Sequence, residues 1–195
     1  MQKIIKLAIV ALLGASSLLL TGCAQMVMSP AKPSMENIAK IRESNLTPVA
    51  VGAFKPAASL SADADKSLSV RGANSLTAPT DGSFSQYLGA TLKAELQAAG
   101  LLDDKSGAQV SGELLENALD PAMSTGTAAL AARFVVTRDG AVRYDRKVEA
   151  KSQWESSFIG AVAIPLAASQ YEGLYRKLVS QLLADEDFRK ALAKN

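Results

Sequence analysis

The chain has 195 residues, with 21 basic and 19 acidic side chains, one cysteine and no histidine. That length suits one domain plus an extension, and the near-neutral balance lacks the basic clusters that nucleic acid requires. One thiol rules out an intrachain disulfide, so stability must come from a packed core; without histidine there is no imidazole base, no ordinary catalytic triad and no Cys/His zinc site.

Lys3 and Lys6 precede an apolar run over residues 7–20 that only Ser16 and Ser17 interrupt, the charged and apolar parts of an export signal. The run is shorter than the roughly 20 residues a transmembrane helix needs. It closes on Leu20-Thr21-Gly22-Cys23, which resembles the lipobox of bacterial lipoproteins. The resemblance implies cleavage after Gly22, a diacylglyceryl thioether on Cys23 and acylation of the new amine, palmitate being a typical chain. Residues 1–22 are then a lipoprotein signal peptide, and the lone thiol needs no partner and offers no nucleophile. Several acyl chains on one residue satisfy the two-signal requirement for stable membrane anchoring. Ala24 stands where an Asp would imply retention in the inner membrane of a Gram-negative cell, so the resemblance implies the outer membrane. Removal of Lys3 and Lys6 leaves 19 basic and 19 acidic residues, a neutral mature chain.

Residues 23–46 read as the lipidated cysteine and a periplasmic tether, with Pro30, Pro33 and no long apolar period. Extended at about 3.3 Å per residue, such a tether reaches ~75 Å. Within it a short helix capped by Ser34 would set Ile38 and Ile41 on one side, with docking on the domain and a free helix both open. Residues 47–54 read as a strand apolar on both faces, the mark of a central position in a sheet. Residues 55–80 are too long for an ordinary loop, and residues 67–76 read as an added edge strand or an ordered flap. Ser83 and Gly100 bracket a helix with Phe84, Leu88, Leu92 and Leu96 at helical spacing. Val110 and Leu114 alternate with polar neighbours in a half-buried strand.

The next two strands make a hairpin around Asp139-Gly140. A two-residue turn in plain register would set Phe134 opposite Asp145 and mix the faces, whereas a three-residue loop over 138–140 sets Val136 against Val142, Phe134 against Tyr144 and Arg133 against Asp145. Trp154 closes the last strand, a helix is expected from about Pro165 with Tyr171, Leu174, Tyr175, Leu178 and Leu182 as its stripe, and a short helix follows over 185–192.

Candidate chemistry is sparse. The acidic pairs Asp63/Asp65 and Asp103/Asp104 and the run Asp185-Glu186-Asp187 sit in turns or at a helix start, where solvation or capping explains them. Arg146 falls on the apolar side of its strand, opposite Ala132, with outward reach, pairing to Glu116 or a ligand anion as its options. Trp154, Phe158, Ile159, Val162 and Ile164, spaced by small residues, form either a core-lining crossover or an exposed patch for a protein partner or a lipid chain. No catalytic residue, metal site or cofactor is expected.

The fold class expected is α/β: a single β-α-β-β-β-α two-layer sandwich over residues 47–195, its sheet mixed or mainly antiparallel and its helices on one face. With the lipobox and the closing segment of residues 178–192, this order resembles small Gram-negative envelope lipoproteins of the YajG-like kind, and more loosely the auxiliary lipoproteins of envelope ABC transporters. The resemblance implies a non-enzymatic, outer-membrane-anchored, periplasm-facing accessory or docking module of an envelope protein complex for assembly or transport, joined to the membrane through acyl chains on Cys23. The alternative is a periplasmic carrier for a lipid or small apolar ligand, for which the inward-facing Ala128, Ala132 and Ala150 leave room or else allow close helix packing.

Overall fold

The computed structural model describes residues 25–79 and 81–194; the expected signal segment and Cys23 lie outside the described residues. In chain order the elements are β1 (Gln25–Val27), α1 (Met35–Glu43), β2 (Ala50–Pro56), β3 (Leu68–Arg71), β4 (Asn74–Thr77), α2 (Phe84–Ala99), β5 (Ala108–Asp120), β6 (Thr125–Arg138), β7 (Ala141–Glu155), α3 (Gly160–Ala184) and α4 (Glu186–Leu192). The main sheet has the order β2-β5-β6-β7, with β2 parallel to β5 and the other pairs antiparallel; a smaller mixed sheet has the order β1-β4-β3.

Without the small sheet, α1 and α4, the frame is the β-α-β-β-β-α order that the periodicities predict. Alternation in β5 buries Ala108, Val110 and Leu114, and in β6 it buries Ala128, Leu130, Ala132, Phe134 and Val136. Against that face α2 lays Leu88, Leu92 and Leu96, and α3 lays Tyr171, Leu174, Leu178 and Leu182, all in one core. The opposite face carries the exposed charges Arg133, Asp145, Lys147 and Glu149. Ser83 caps α2 by accepting from the Gln86 N–H, and the helix ends at Gly100, as the sequence predicts.

Five expectations are corrected. First, β2 is an edge strand rather than a central one: a bulge between Val51 and Phe54 changes which residues face inward, burying Phe54 and exposing Ala53. Second, of the two options for residues 67–76 the added edge strand is excluded: β3 and β4 form an ordered hairpin outside the main sheet, completed by β1. Its inward side is apolar, with Leu68, Val70 and Leu76 in the core, and the preceding stretch is tied down where Asn117 Nδ2 donates to the Ala64 carbonyl at 2.7 Å. Asn117 in turn accepts from the Tyr171 hydroxyl.

Third, the hairpin keeps its two-residue turn. Asp139 and Gly140 both take positive φ, 52° and 78°, and Arg138 pairs with Ala141. The sequence argument about mixed faces is met instead by a bulge at Arg143, beyond which Val136 faces Tyr144 and Phe134 faces Arg146. Arg133 still reaches Asp145, diagonally, with Nε to Oδ1 at 2.6 Å. Fourth, α3 begins at Gly160 and carries Pro165 inside it. Ile164, the residue before the proline, is helical against the usual bias of that position and is partly buried against the core.

Fifth, the segment read as a tether is packed onto the domain from Gln25 onward. Ser34 caps α1 as expected, Ile41 is buried, and the helix is held by a carboxylate from α2. The Ser34 N–H donates to Glu95 Oε1 and Oε2 at 3.0 and 2.9 Å, and Asn37 Nδ2 donates to Oε1 at 3.0 Å. Glu95 is fully buried, and desolvation holds its carboxyl above the ordinary range against the pull of these donors and of Arg176.

Candidate functional site

Four pieces of chain meet at one end of the molecule: the β5–β6 loop, the β7–α3 loop, the β3–β4 turn and the start of β1. Arg71, at the end of β3, ties the two loops to the β3–β4 turn. Its Nη1 donates to the Ser157 carbonyl at 3.0 Å and its Nη2 to the Pro121 carbonyl at 2.7 Å. The Ser156 N–H adds a bond to the Ser124 carbonyl at 2.9 Å. The two loops are thereby held as one surface.

That surface divides the residues singled out from the sequence. Trp154 is only 9% exposed and lies across Gly126, where a Cβ would come within 2.3 Å of the indole. Glycine at 126 is what lets the ring lie flat against β6. The Trp154 Nε1 and Ser156 Oγ are buried and have no hydrogen-bond partner among the described residues. Phe158, Ile159 and Val162 are by contrast 77%, 64% and 54% exposed, and Met123 on the neighbouring loop is 60% exposed. Ile164 is partly buried against the core. Beside them runs a shallow groove of about 320 Å³ between Gln25, Met26, Asn74, Gly160, Ala161 and Ile164.

Sequence reasoning missed Met123, Arg71 and Gly126. Met123 had a local signal, an apolar residue in the short turn "DPAMST" between two strands. Arg71 and Gly126 had none, because their partners lie tens of residues away.

The remaining candidates are accounted for locally. Asp65 is buried and accepts from the Ser83 hydroxyl at 2.7 Å and the Ser85 N–H at 2.8 Å, fixing the start of α2. Asp185 caps α4, accepting from the Asp187 N–H at 2.8 Å, and also accepts from the Tyr144 hydroxyl at 3.0 Å. Asp103 accepts from the Lys105 N–H in its turn. Arg146 pairs with Asp187 rather than Glu116, since the register sets it beside α4. It belongs to a polar groove of about 580 Å³ at the opposite end, where Arg138, Arg143 and Lys190 mix with Asp139, Asp145 and Asp187. Ala128, Ala132 and Ala150 are almost wholly buried in the same core as Ala167 and Tyr171 of α3, so the small side chains serve close helix packing. Among the described residues no helix is long and apolar enough to cross a membrane.

The sequence matches no family model and no curated protein. Among solved structures, the fold is like that of a DUF330-family protein from Xanthomonas campestris, at 13% identity over 86% of this chain and 93% of that one, with a TM-score of 0.53. A more distant likeness is to a minor lipoprotein from Acinetobacter baumannii, at 13% identity over 77% of this chain and 98% of that one, with a TM-score of 0.45. At 13% identity the first likeness is one of fold, and it extends over most of both chains.

Proposed function

We propose that this chain is a lipoprotein anchored through Cys23 in the outer membrane, facing the periplasm, and acting without catalysis as a docking module of an envelope assembly or transport system. The anchor reading rests on residues 1–23. The docking reading is carried by one observation: β7 is a 15-residue strand at the open edge of the main sheet, bonded among the described residues only to β6. An extended segment of a partner adds to such an edge through main-chain hydrogen bonds, with alternate side chains giving specificity. The alternating charges Arg143, Asp145, Lys147, Glu149 and Lys151 discourage indiscriminate pairing of like edges and select a partner of complementary sequence. Trp154 is buried and offers a partner no contact of its own.

A photoreactive residue placed at Glu149 or Lys151 in living cells tests this. The expected result is one reproducible envelope protein crosslinked from both positions and not from Gln109 on β5, whose two edges are already paired. Recovery of the chain alone, or with lipid only, would overturn the docking role.

A further inference from the structure

We propose that the end of the molecule bearing Met123, Phe158, Ile159 and Val162 lies against the lipid surface that holds Cys23, so that the domain stands directly on the membrane. This placement rests on the acylation of Cys23 put forward above and adds an orientation to it.

Covalent reach comes first. β1 begins at Gln25, and only Ala24 separates it from Cys23, so the two Cα atoms are within about 7 Å of each other. The residues that follow supply no slack, because they are fixed to the domain. The Ser29 N–H donates to Glu172 Oε1 at 2.6 Å, Ser34 and Asn37 are held by Glu95, and Ile41 and Leu46 are buried. A residue acylated at 23 therefore brings Gln25 to the bilayer surface.

Gln25 arrives at a particular place. It pairs with Ser75, next to the β3–β4 turn, and with Met26 it lines the groove whose other wall is Gly160, Ala161 and Ile164. The first residue of β1 thus sits beside the first turn of α3, at the end where the four exposed apolar side chains are gathered. The loops that carry Met123 and Phe158 are already tied together by the Arg71 bridge to their backbone carbonyls, so little loop freedom is lost when those side chains enter the interface. Apolar side chains on a rigid rim enter the boundary between headgroups and acyl chains.

Charge sets the character of the contact. Asp120 and Glu155 flank this end, and the Arg71 guanidinium is occupied by carbonyls. The contact is therefore apolar and independent of anionic headgroups. The long strands lead away from it: β6 has 14 residues, which at about 3.3 Å each puts the Asp139-Gly140 tip up to about 45 Å from the bilayer.

The test uses the mature full-length lipoprotein in vesicles of phosphatidylethanolamine with phosphatidylglycerol. Acylation occupies the only native thiol, so single cysteines at Ile159→Cys, Met123→Cys and Val142→Cys take a nitroxide label selectively. Labels at 159 and 123 are expected to be relaxed by oxygen dissolved in lipid and shielded from an aqueous nickel chelate, with the reverse at 142. Replacing phosphatidylglycerol by phosphatidylcholine should leave that pattern unchanged. The mass of the same preparation separates the two levels of the proposal. A chain without acyl mass would overturn the anchor and this placement with it. An acylated, vesicle-bound chain whose labels at 159 and 123 read as aqueous would overturn the placement alone.

Discussion

Trp154 and Phe158 are four residues apart and belong to different parts of the molecule. The indole lies over Gly126 in the core, whereas the Phe158 ring is largely in solvent. Trp154→Ala should remove about 3–5 kcal/mol of stability, because it empties a buried aromatic site. Urea unfolding followed by circular dichroism measures this; a change under about 1 kcal/mol would mean that the ring does not fill the core as described. Phe158→Ser and Ile159→Ser should each leave stability within about 0.5 kcal/mol of the parent in the same assay, as exposed positions do. Gly126→Ala, with a Cβ directed into the indole, should cost about 1–3 kcal/mol. Spacing alone could not separate Trp154 from Phe158. The residue that decides the matter, Gly126, lies on the neighbouring strand, and its register depends on a bulge near the far end of the hairpin.

At the scale of elements, α1 is where sequence and structure part most. Its cap at Ser34 was legible, as were α2, the Val110/Leu114 alternation of β5 and the stripe of α3, because each is written in local spacing. Its docking was not, because the group that holds it, Glu95, reads as one more polar position on α2. The same limit explains β2, whose apolar residues suit a central strand until the Phe54 bulge turns them. It also explains the hairpin, where the conflict of faces is relieved by a bulge at Arg143, beyond the turn, rather than within residues 138–140. The Glu95 contact makes a pH prediction. Burial raises the Glu95 carboxyl above its unfolded value of 4.5, so the folded chain holds this proton more tightly than the unfolded chain does. Its contribution is fully present below about pH 4.5 and is lost as pH rises through the folded value. Glu95→Gln removes that dependence. Stability of the parent relative to Glu95→Gln should therefore improve between pH 7 and pH 4, read from paired urea midpoints; a constant or opposite difference would contradict a buried carboxylate. Glu95→Ala leaves the Ser34 N–H and Asn37 amide unpaired, and hydrogen exchange over residues 34–43 should quicken before global unfolding.

For the whole molecule, the two ends differ in character and the long strands connect them. One end gathers Met123, Phe158, Ile159 and Val162 beside the start of β1, and the other is a polar rim of mixed charges around Arg138, Arg143 and Asp187. In the placement proposed above, the edge of β7 that is unpaired among the described residues would run from the bilayer toward the periplasm and be presented to a partner without a long leash. The fold class was readable from sequence, and the anchor signal is proposed from sequence alone. The proposed orientation was not readable there, since it is argued from the packing of residues 25–46, which composition presents as a tether. Everything said of anchoring, orientation and docking depends on Cys23. The measurement that tests it most directly is mass spectrometry of the intact chain recovered from outer membranes. A mature N-terminus at Cys23 carrying a diacylglyceryl group and an amide-linked acyl chain is the result expected. A chain that starts elsewhere, or whose Cys23 carries a free thiol, would contradict the account.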